Sequence, residues 1–424
     1  MNKTLKRFAT ALAAGAITIS MLGCTQSGGN QESNAQAKDS NVQDVKESAA
    51  SGEENTPASG GENASASGAP SKGVIGFNYF AAGDYALDTL ANNTSHVIEA
   101  CGYEAMSVCD NASLDQLVTD VENMINAGVD GLVLWIPNDS LYLSVADLCE
   151  NAGVPFVLSD KVPTDPAIRE KLETYSTYCG AVTPDNYSYG VQMAEFALDS
   201  GYKSGFILAP GVGDATGTVR INGFKETFEA AGGTVLGEQH TDDSNQAATQ
   251  AEDMYLANPD ADFIMATGAS TFGSAGLEVL NKYNDSHMKI ITADFDEAIL
   301  ASMKNDDKVS FLIGDFLVSG SYAAALMCNK LDGTPILDED GTAPYIDNVP
   351  AYSIPVEQID LFSTYIAGDC IYSDEECVAM LGMSLEEFEN TVVSVYSLNE
   401  RLLAKYNEGT IPEQELLDAG IEIK

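Results

Sequence analysis

Short apolar runs that alternate with amphipathic stretches are the feature that most limits how this chain can fold. The apolar runs, rich in β-branched and aromatic residues, begin at residue 73 and recur to about residue 313, and stretches of helical period separate them. Strands that alternate with helices predict βαβ units and parallel sheets. An irregular stretch near residue 184 divides the alternation into two runs. The sequence therefore predicts an α/β protein with two doubly wound parallel-sheet domains.

The predicted helices have recognisable ends. Gly102 follows the helical run 86–101, and Gly128 follows a helix that Ser113 and Gln116 begin as a capping box. In open parallel sheets, ligands bind beyond the carboxyl ends of the strands. The candidate binding residues are therefore those that follow each predicted strand.

The residues after the predicted strands combine carboxylates, cations and aromatic rings. We predict ligand contacts from Tyr79, Phe80, Asp84, Tyr85, Trp135, Asp160, Lys161, Arg220, Asp294 and Asp315. Carboxylates accept hydrogen bonds from hydroxyl groups, and rings cover the apolar C–H face of a sugar. The alternative for a strand-end aspartate is a helix cap or turn residue, and for Trp135 it is core packing.

The N-terminus resembles a bacterial lipoprotein signal, in which a cysteine is acylated and becomes the new N-terminus. Basic residues precede an apolar run over residues 8–22, and Gly23 then meets Cys24. The run is too short and too weakly apolar for a comfortable membrane span. The alternative is an ordinary secretory signal with a chance cysteine. Both interpretations predict a protein that works outside the cytoplasm. The lipoprotein interpretation further predicts a bacterial protein held at the outer face of the cell membrane by lipid alone.

A polar tract and an acidic composition characterise the rest of the chain. Residues 25–72 are mostly Ser, Gly, Asn, Ala, Gln and Glu, which predicts a disordered tether. The whole sequence has 64 Asp plus Glu against 20 Lys plus Arg, a formal net charge of −44. Such a charge repels nucleic acid and anionic lipid, so neither is an expected partner. Scattered negative charge is otherwise typical of a solvated surface.

Cysteine and histidine spacing gives no sign of a metal site. Seven cysteines remain beyond Cys24, so an exported protein would keep at least one free thiol. Cys370 and Cys377 are the one close pair in a polar stretch and could form a local disulfide. No C-x-x-C occurs, and the three histidines are far apart in sequence. We therefore expect no metal ligands.

Motifs for cofactor binding or catalysis are weak. The glycines Gly211 and Gly213 lie between a predicted strand and helix, but Thr216 replaces the third glycine of a dinucleotide fingerprint. No G-x-S-x-G and no phosphate-binding G-K-[ST] occurs. We expect no cofactor, and an enzyme is the least favoured of the possible functions.

Several stretches together resemble the type I periplasmic-binding-protein family, the ribose- and galactose-binding-like solute receptors of ABC transporters. The similar stretches are 116–137 with Gly-Val-Asp-Gly-Leu-Val-Leu, 151–160, 183–190, 220–224 and 258–262. The resemblance covers roughly residues 74–332. It implies two Rossmann-like lobes joined by a multi-crossover hinge, with the ligand cleft between them.

The resemblance also implies roles for particular residues. Asp160 and Asp294 fall on the family's ligand-binding aspartates, and the hinge includes Asp185 and Asn186. Lys161 stands where an arginine is usual, which removes a bidentate donor. Departures of this kind leave the identity of the ligand open.

Domain boundaries follow from these patterns. The predicted segments are a signal peptide over 1–23, lipidated Cys24 with its tether over 24–72, a first lobe over 73–183 plus about 316–345, a second lobe over 184–315, and a C-terminal extension over 346–424. The extension includes a helix that Ser384 and Glu387 cap. No function is predicted for it.

Three functions are consistent with the sequence. The first is a solute-binding lipoprotein that delivers a small polar ligand, a sugar above all, to an ABC transporter permease. The second is a receptor of the same fold for a nucleoside or signal molecule, which feeds a sensor. The third is an enzyme, against which the missing nucleophile and metal motifs argue. The fold does not distinguish the first two.

Overall fold

The computed structural model describes residues 70–315, 317–367, 370–394 and 398–423. The predicted signal peptide, Cys24 and nearly all of the predicted tether lie outside these residues. None of the described helices is long and apolar enough to cross a membrane.

The first lobe is a six-stranded parallel sheet with helices packed on it. Its strand order is β11-β5-β4-β3-β1-β2. The strands are β1 (Val74–Tyr79), β2 (Glu104–Cys109), β3 (Gly131–Leu134), β4 (Phe156–Ser159), β5 (Tyr178–Pro184) and β11 (Tyr345–Val349). The helices are α1 (Tyr85–Ala100), α2 (Leu114–Ala127), α3 (Tyr142–Ala152), α4 (Pro166–Leu172) and α10 (Ser319–Leu331). β11 extends this sheet slightly beyond the predicted boundary near residue 345.

The second lobe is a five-stranded parallel sheet in the order β10-β9-β8-β6-β7. Its strands are β6 (Ser204–Ala209), β7 (Thr234–His240), β8 (Phe263–Ala266), β9 (Lys289–Ala293) and β10 (Val309–Ile313). Its helices are α5 (Asn186–Asp199), α6 (Ala215–Ala230), α7 (Ser244–Ala257), α8 (Ser274–Lys282) and α9 (Glu297–Asn305), and a π-helical turn (Ala269–Gly273) precedes α8. The predicted fold of two parallel α/β domains is confirmed.

Three chain crossings join the lobes, and they are hydrogen-bonded to one another. The first runs from β5 into α5, the second from β10 into α10, and the third leaves β11. The backbone N–H of Asp185 donates to the carbonyl of Val349 at 3.0 Å. Gly314 and Tyr352 form an antiparallel bridge with bonds of 3.1 and 2.9 Å. The third crossing is therefore bonded to each of the other two.

Two glycines allow α5 and α6 to pack closely in the second lobe. A Cβ atom at Gly190 would collide with the carbonyl of Arg220, and one at Gly223 would collide with the carbonyl of Tyr187. The close approach brings the start of α5, at the hinge, beside the middle of α6. Arg220 on α6 thereby reaches the boundary between the lobes.

The described residues of the C-terminal segment, taken as 350–423, include five α-helices and a short 3-10 helix (Val356–Gln358), and the segment contacts both lobes. The α-helices are α11 (Ile359–Tyr365), α12 (Asp374–Ala379), α13 (Leu385–Ser394), α14 (Leu398–Asn407) and α15 (Glu413–Asp418). On the second lobe, the ring of Phe362 lies 4.9 Å from that of Phe295. On the first lobe, the ring of Phe388 lies 5.8 Å from that of Tyr322 on α10. Ser384 and Glu387 form the predicted capping box of α13.

One apolar core is continuous through these parts. It includes Ile75 and Val97 of the first lobe, Ile264 and Ile299 of the second, and Phe388 of the C-terminal segment, all with 2 % exposure or less. The lobes are therefore joined by shared packing as well as by the hinge.

Candidate functional site

A cavity of about 510 Å³ lies between the two lobes. Seven of the ten predicted ligand contacts line it: Phe80, Asp84, Trp135, Asp160, Lys161, Arg220 and Asp294. The volume is in the range of small-molecule sites. Each lobe presents the carboxyl ends of its strands to the cavity, as expected for open parallel sheets.

The wall from the first lobe is built around Trp135. Its indole Nε1–H donates to Asp160 Oδ2 at 2.8 Å, and the ring of Phe80 lies 5.4 Å away. The ammonium of Lys161 lies 5.3 Å from the centre of the indole ring. Burial raises the pKa of Asp160, while the charge of Lys161 and the indole N–H act in the opposite direction. The wall thus offers an apolar face beside a carboxylate with a fixed orientation.

The wall from the second lobe is built around Arg220, whose side chain is almost fully buried. Its two terminal nitrogens donate to Asp294 at 2.8 and 3.0 Å. One of them also donates to the carbonyl of Thr267 at 2.6 Å, and Nε donates to Asn186 Oδ1 at 2.9 Å. Burial alone would lower the pKa of Arg220, but pairing with Asp294 outweighs it and raises that pKa. The guanidinium therefore stays charged and holds Asp294 in place.

A contact across the cavity mouth connects the two walls. Lys161 of the first lobe lies 3.3 Å from Asp214 of the second, and both side chains are largely buried. Asp214 also caps α6, because its carboxylate accepts the N–H of Gly217 at 2.6 Å. Asn138 forms a backbone bridge with Asp214. The described lobes are thus in contact around Asp214.

The alternative role of a strand-end aspartate as a helix cap holds for Asp84. Its carboxylate accepts the N–H groups of Ala86 and Leu87 at 3.0 and 3.1 Å, at the start of α1. Burial raises the pKa of Asp84. Asp294 is different, because Asp296 caps α9 in its place.

Three predicted contacts do not line the cavity. Tyr79 packs against the large apolar core at the end of β1. Tyr85 packs against the same core, and burial beside Glu297 and Asp296 raises its pKa to about 12. Asp315 lies in the second crossing, where it accepts the N–H of Leu317 at 2.9 Å. Burial and the repulsion from Asp160 raise the pKa of Asp315 to about 7. Tyr79 is the last residue of β1 and Tyr85 the first of α1, and both rings are taken up by apolar packing, whereas Asp315, two residues after β10, is bonded within its own crossing.

The two predicted hinge residues lie in the first crossing. Asp185 caps α5 by accepting the N–H of Ser188 at 3.0 Å, and its own N–H bonds to the third crossing. Asn186 donates to the carbonyl of Pro184 at 3.3 Å and accepts from Arg220. Through Asn186 the crossing is connected to the cavity wall.

Sequence reasoning missed several residues that line the cavity. Asp242 follows the edge strand β7, and its carboxylate accepts the N–H of Gly211 at 2.8 Å. Asp214 and Phe272 also line the cavity. Asp242 would have been predicted if the residues after β7 had been included among the candidate binding residues, as they were for the other strands. Asp214 and Phe272 lie several residues beyond their strands, and no local pattern marks them.

The lining is acidic. Asp84, Asp160, Asp214, Asp242 and Asp294 line the cavity together with two cations, Lys161 and Arg220. Both cations are already paired with carboxylates. The site therefore favours a ligand rich in hydrogen-bond donors and disfavours an anion.

The chain belongs to the periplasmic binding protein domain family, whose model matches residues 87–335. This match covers the cavity-lining residues of both lobes from Leu87 onward. Members of this family are substrate-binding proteins of the extracytoplasmic side, and the fold is that of the type I, ribose- and galactose-binding-like group. No curated protein matches the chain.

Solved structures of low sequence identity share the fold. A sugar ABC transport substrate-binding protein from Bordetella parapertussis is 16 % identical with a TM-score of 0.60, over 72 % of this chain and 96 % of that one. A solute-binding protein from Burkholderia graminis in complex with D-arabinose is 18 % identical with a TM-score of 0.59, over 69 % and 98 %. One from Bacillus halodurans with bound myo-inositol is 14 % identical with a TM-score of 0.58, over 70 % and 99 %.

Proposed function

We propose that this protein is an extracytoplasmic solute-binding lipoprotein that captures a small neutral polyhydroxylated ligand, a sugar or a cyclic polyol, and delivers it to an ABC transporter permease. The observation that carries the proposal is that Asp160 and Asp294 face one cavity from opposite lobes. A ligand that bonds to both carboxylates favours the closed arrangement of the lobes, because the open arrangement offers one of them at a time.

The chemistry of the cavity supports a sugar or polyol. The indole of Trp135 and the ring of Phe80 offer apolar surface for C–H groups, and the carboxylates accept hydroxyl hydrogens. Two of the solved structures described above hold D-arabinose and myo-inositol. An acidic lining with paired cations argues against phosphorylated or carboxylated ligands.

Lipid anchoring at Cys24 and delivery to a permease complete the proposal. The signal-like start and the polar tract to residue 72 support the anchor. Family membership supports the transport role. The activity is binding and release, and catalysis has no part in it.

The test is a melting-temperature screen followed by calorimetric titration. The panel contains D-arabinose, D-galactose, D-ribose and myo-inositol, with adenosine and galactose 6-phosphate as comparisons. A ligand at 100 times its Kd stabilises the folded protein by about 2.7 kcal/mol. We expect a rise with one or more neutral sugars or polyols and none with the phosphate. Binding of adenosine alone would favour the nucleoside receptor and refute the sugar proposal.

The titration needs a matched pair of variants. Asp160→Asn removes a cavity carboxylate, and Asp253→Asn removes an exposed one from α7. Both change the charge by the same amount. We expect weaker binding in the first variant and unchanged binding in the second.

A further inference from the structure

A histidine and two cysteines meet at the boundary between the first lobe and the C-terminal segment, away from the cavity. His96 lies on α1, and Cys370 and Cys377 lie before and within α12. One ring nitrogen of the histidine and the two sulfurs all lie within 4.8 Å of one another. Cys370 is 8 % exposed and Cys377 is fully buried. More than 270 residues of sequence separate His96 from the cysteines, which is why spacing did not indicate this cluster.

A ring nitrogen of His96 lies near polar groups but makes no hydrogen bond. Nε2 of His96 is buried and makes no hydrogen bond to any described residue. Its nearest acidic neighbour is Asp374 Oδ1 at 3.3 Å, a contact close enough for charge pairing. Asp374 is the first residue of α12, and its side chain is largely exposed. A buried ring nitrogen without a hydrogen bond requires a partner, and the two sulfurs lie within 4.8 Å of a ring nitrogen of this histidine.

We propose that His96, Cys370 and Cys377 bind a zinc-class cation. Two sulfurs and an imidazole nitrogen are the donor types that zinc prefers, and solvent would complete four-coordination. Binding releases the thiol protons of Cys370 and Cys377 to solvent as the sulfurs become thiolates. The burial of both sulfurs favours a structural site.

A local disulfide is the competing account of the two cysteines. It would satisfy the sulfurs and leave Nε2 of His96 without a hydrogen bond. If the thiols only fill apolar space, Nε2 of His96 is likewise left without a hydrogen bond. A bound cation accounts for all three groups at once, and this is why we favour it.

The consequence of the site is attachment of the C-terminal segment to the first lobe. α12 packs against α1, and its residue Glu376 forms a 2.9 Å ion pair with Arg401 of α14. Metal ligation would fix α12 to α1 through His96 and Cys377. The site would therefore stabilise the packing that the C-terminal segment makes with the folded lobes.

The test uses the full chain, purified under reducing conditions without chelator, with Co²⁺ as a spectroscopic probe and Zn²⁺ as a stabiliser. We expect a thiolate-to-cobalt charge-transfer band at about one equivalent of Co²⁺, and its displacement by Zn²⁺. Zn²⁺ should also raise the melting temperature. Cys370→Ser and Cys377→Ser should abolish the band, and His96→Gln should weaken it at least tenfold in apparent affinity. Cys149→Ser is the matched control, because Cys149 is a buried thiol in a separate core cluster of the first lobe.

Each outcome bears on the proposal directly. A band in the parent chain and in Cys149→Ser that is lost in both cluster variants supports it, provided the variants still show cooperative melting. Absence of a thiolate band in the reduced parent chain overturns it. An intact mass two hydrogens lower, mapped to a Cys370–Cys377 disulfide in the protein exported by its own cells, also overturns it.

Discussion

Asp160 and Asp294 occupy equivalent positions in the two lobes. Each follows the fourth strand of its lobe in chain order, and each has a backbone φ of 64°. The N–H of Asp160 donates to Val182 and that of Asp294 to Ile313, both at 2.8 Å, so the same bond to the next strand holds each bend. A positive φ is uncommon outside glycine, and aspartate tolerates it better than most residues. The bend places both carboxylates at the cavity.

Asp160→Asn should weaken ligand binding without loss of stability. The amide oxygen can still accept the indole N–H of Trp135, but the charge opposite Lys161 is lost. A hydrogen bond to a charged group contributes about 1.5–3 kcal/mol, so binding should weaken roughly ten- to a hundred-fold. Burial already disfavours the charged form of this carboxylate, as its raised pKa shows. Calorimetric titration and urea unfolding measure the two effects, and a large loss of stability with normal affinity would contradict the prediction.

Asp294→Ala should reduce both affinity and stability, because Asp294 pairs with Arg220. The guanidinium side chain is 5 % exposed and would lose two of its hydrogen bonds. Removal of one partner of a buried ion pair costs about 3 kcal/mol at the lower end of the usual range, and Asn186 and Thr267 keep the loss near that end. Urea unfolding measures it, with Asp253→Ala as the control. Adding Arg220→Met to Asp294→Ala should recover part of the lost stability, and no recovery would show that the pair is not the cause.

Stability should fall as the pH rises toward neutrality, in part because of Asp315. The pKa of Asp315 is raised to about 7 in the folded protein, whereas it is near 4 in an unfolded chain. The folded protein therefore binds this proton more tightly, and the free energy of unfolding decreases between about pH 4 and pH 7. Asp315→Asn should remove this part of the slope, by up to roughly 4 kcal/mol between the two ends. Urea unfolding at pH 5 and pH 8 compares the two proteins, and equal slopes would refute the assignment.

Cys24→Ser should release the protein from the cell membrane. Acylation needs the thiol, and the segment before Cys24 is too short to remain as a membrane span. Fractionation of cells that express the chain measures the membrane-bound share. Cys109→Ser, a thiol in the folded part, is the control. Equal membrane association of the Cys24→Ser protein would show that another feature anchors it.

Ligand should make the protein more compact in solution. The cavity is lined from both lobes, so a bound ligand favours the arrangement in which the two walls face each other. Small-angle scattering with and without the ligand identified in the screen should show a decrease in the radius of gyration. An unchanged radius at saturation would mean that the lobes are already closed without ligand, with the Lys161–Asp214 contact as the reason.

The sequence predicted which strand ends border the cavity better than it predicted the contacts between the lining side chains. Strand-end positions identified Asp160, Asp294 and Trp135, because parallel sheets bring the carboxyl ends of their strands to one edge. It did not predict that Asp294 is held by Arg220, since the partners come from different helices and strands and meet through the close packing at Gly190.

Long-range juxtapositions are what the sequence could not supply. His96 and Cys370 lie close together because α12 packs on α1. Nothing in the sequence of either helix predicts that the two are in contact. The C-terminal segment was predicted to hold a capped helix, and Ser384 and Glu387 do cap α13. Its contacts with Phe295 and Tyr322 depend on surfaces that exist once both lobes have folded.

The apolar core shared by the two lobes and the C-terminal segment bears on how the cleft would open. Lobes connected by three strands alone could rotate through a continuous range of angles. Close-packed side chains resist such gradual change, because intermediate angles would leave gaps between Phe295 and Phe362 before new contacts form. The lobes would then have two preferred angles, one open and one closed, and few molecules would have an intermediate angle. The residence time of a bound solute would then depend on the rate of lobe opening as well as on the contacts around the solute.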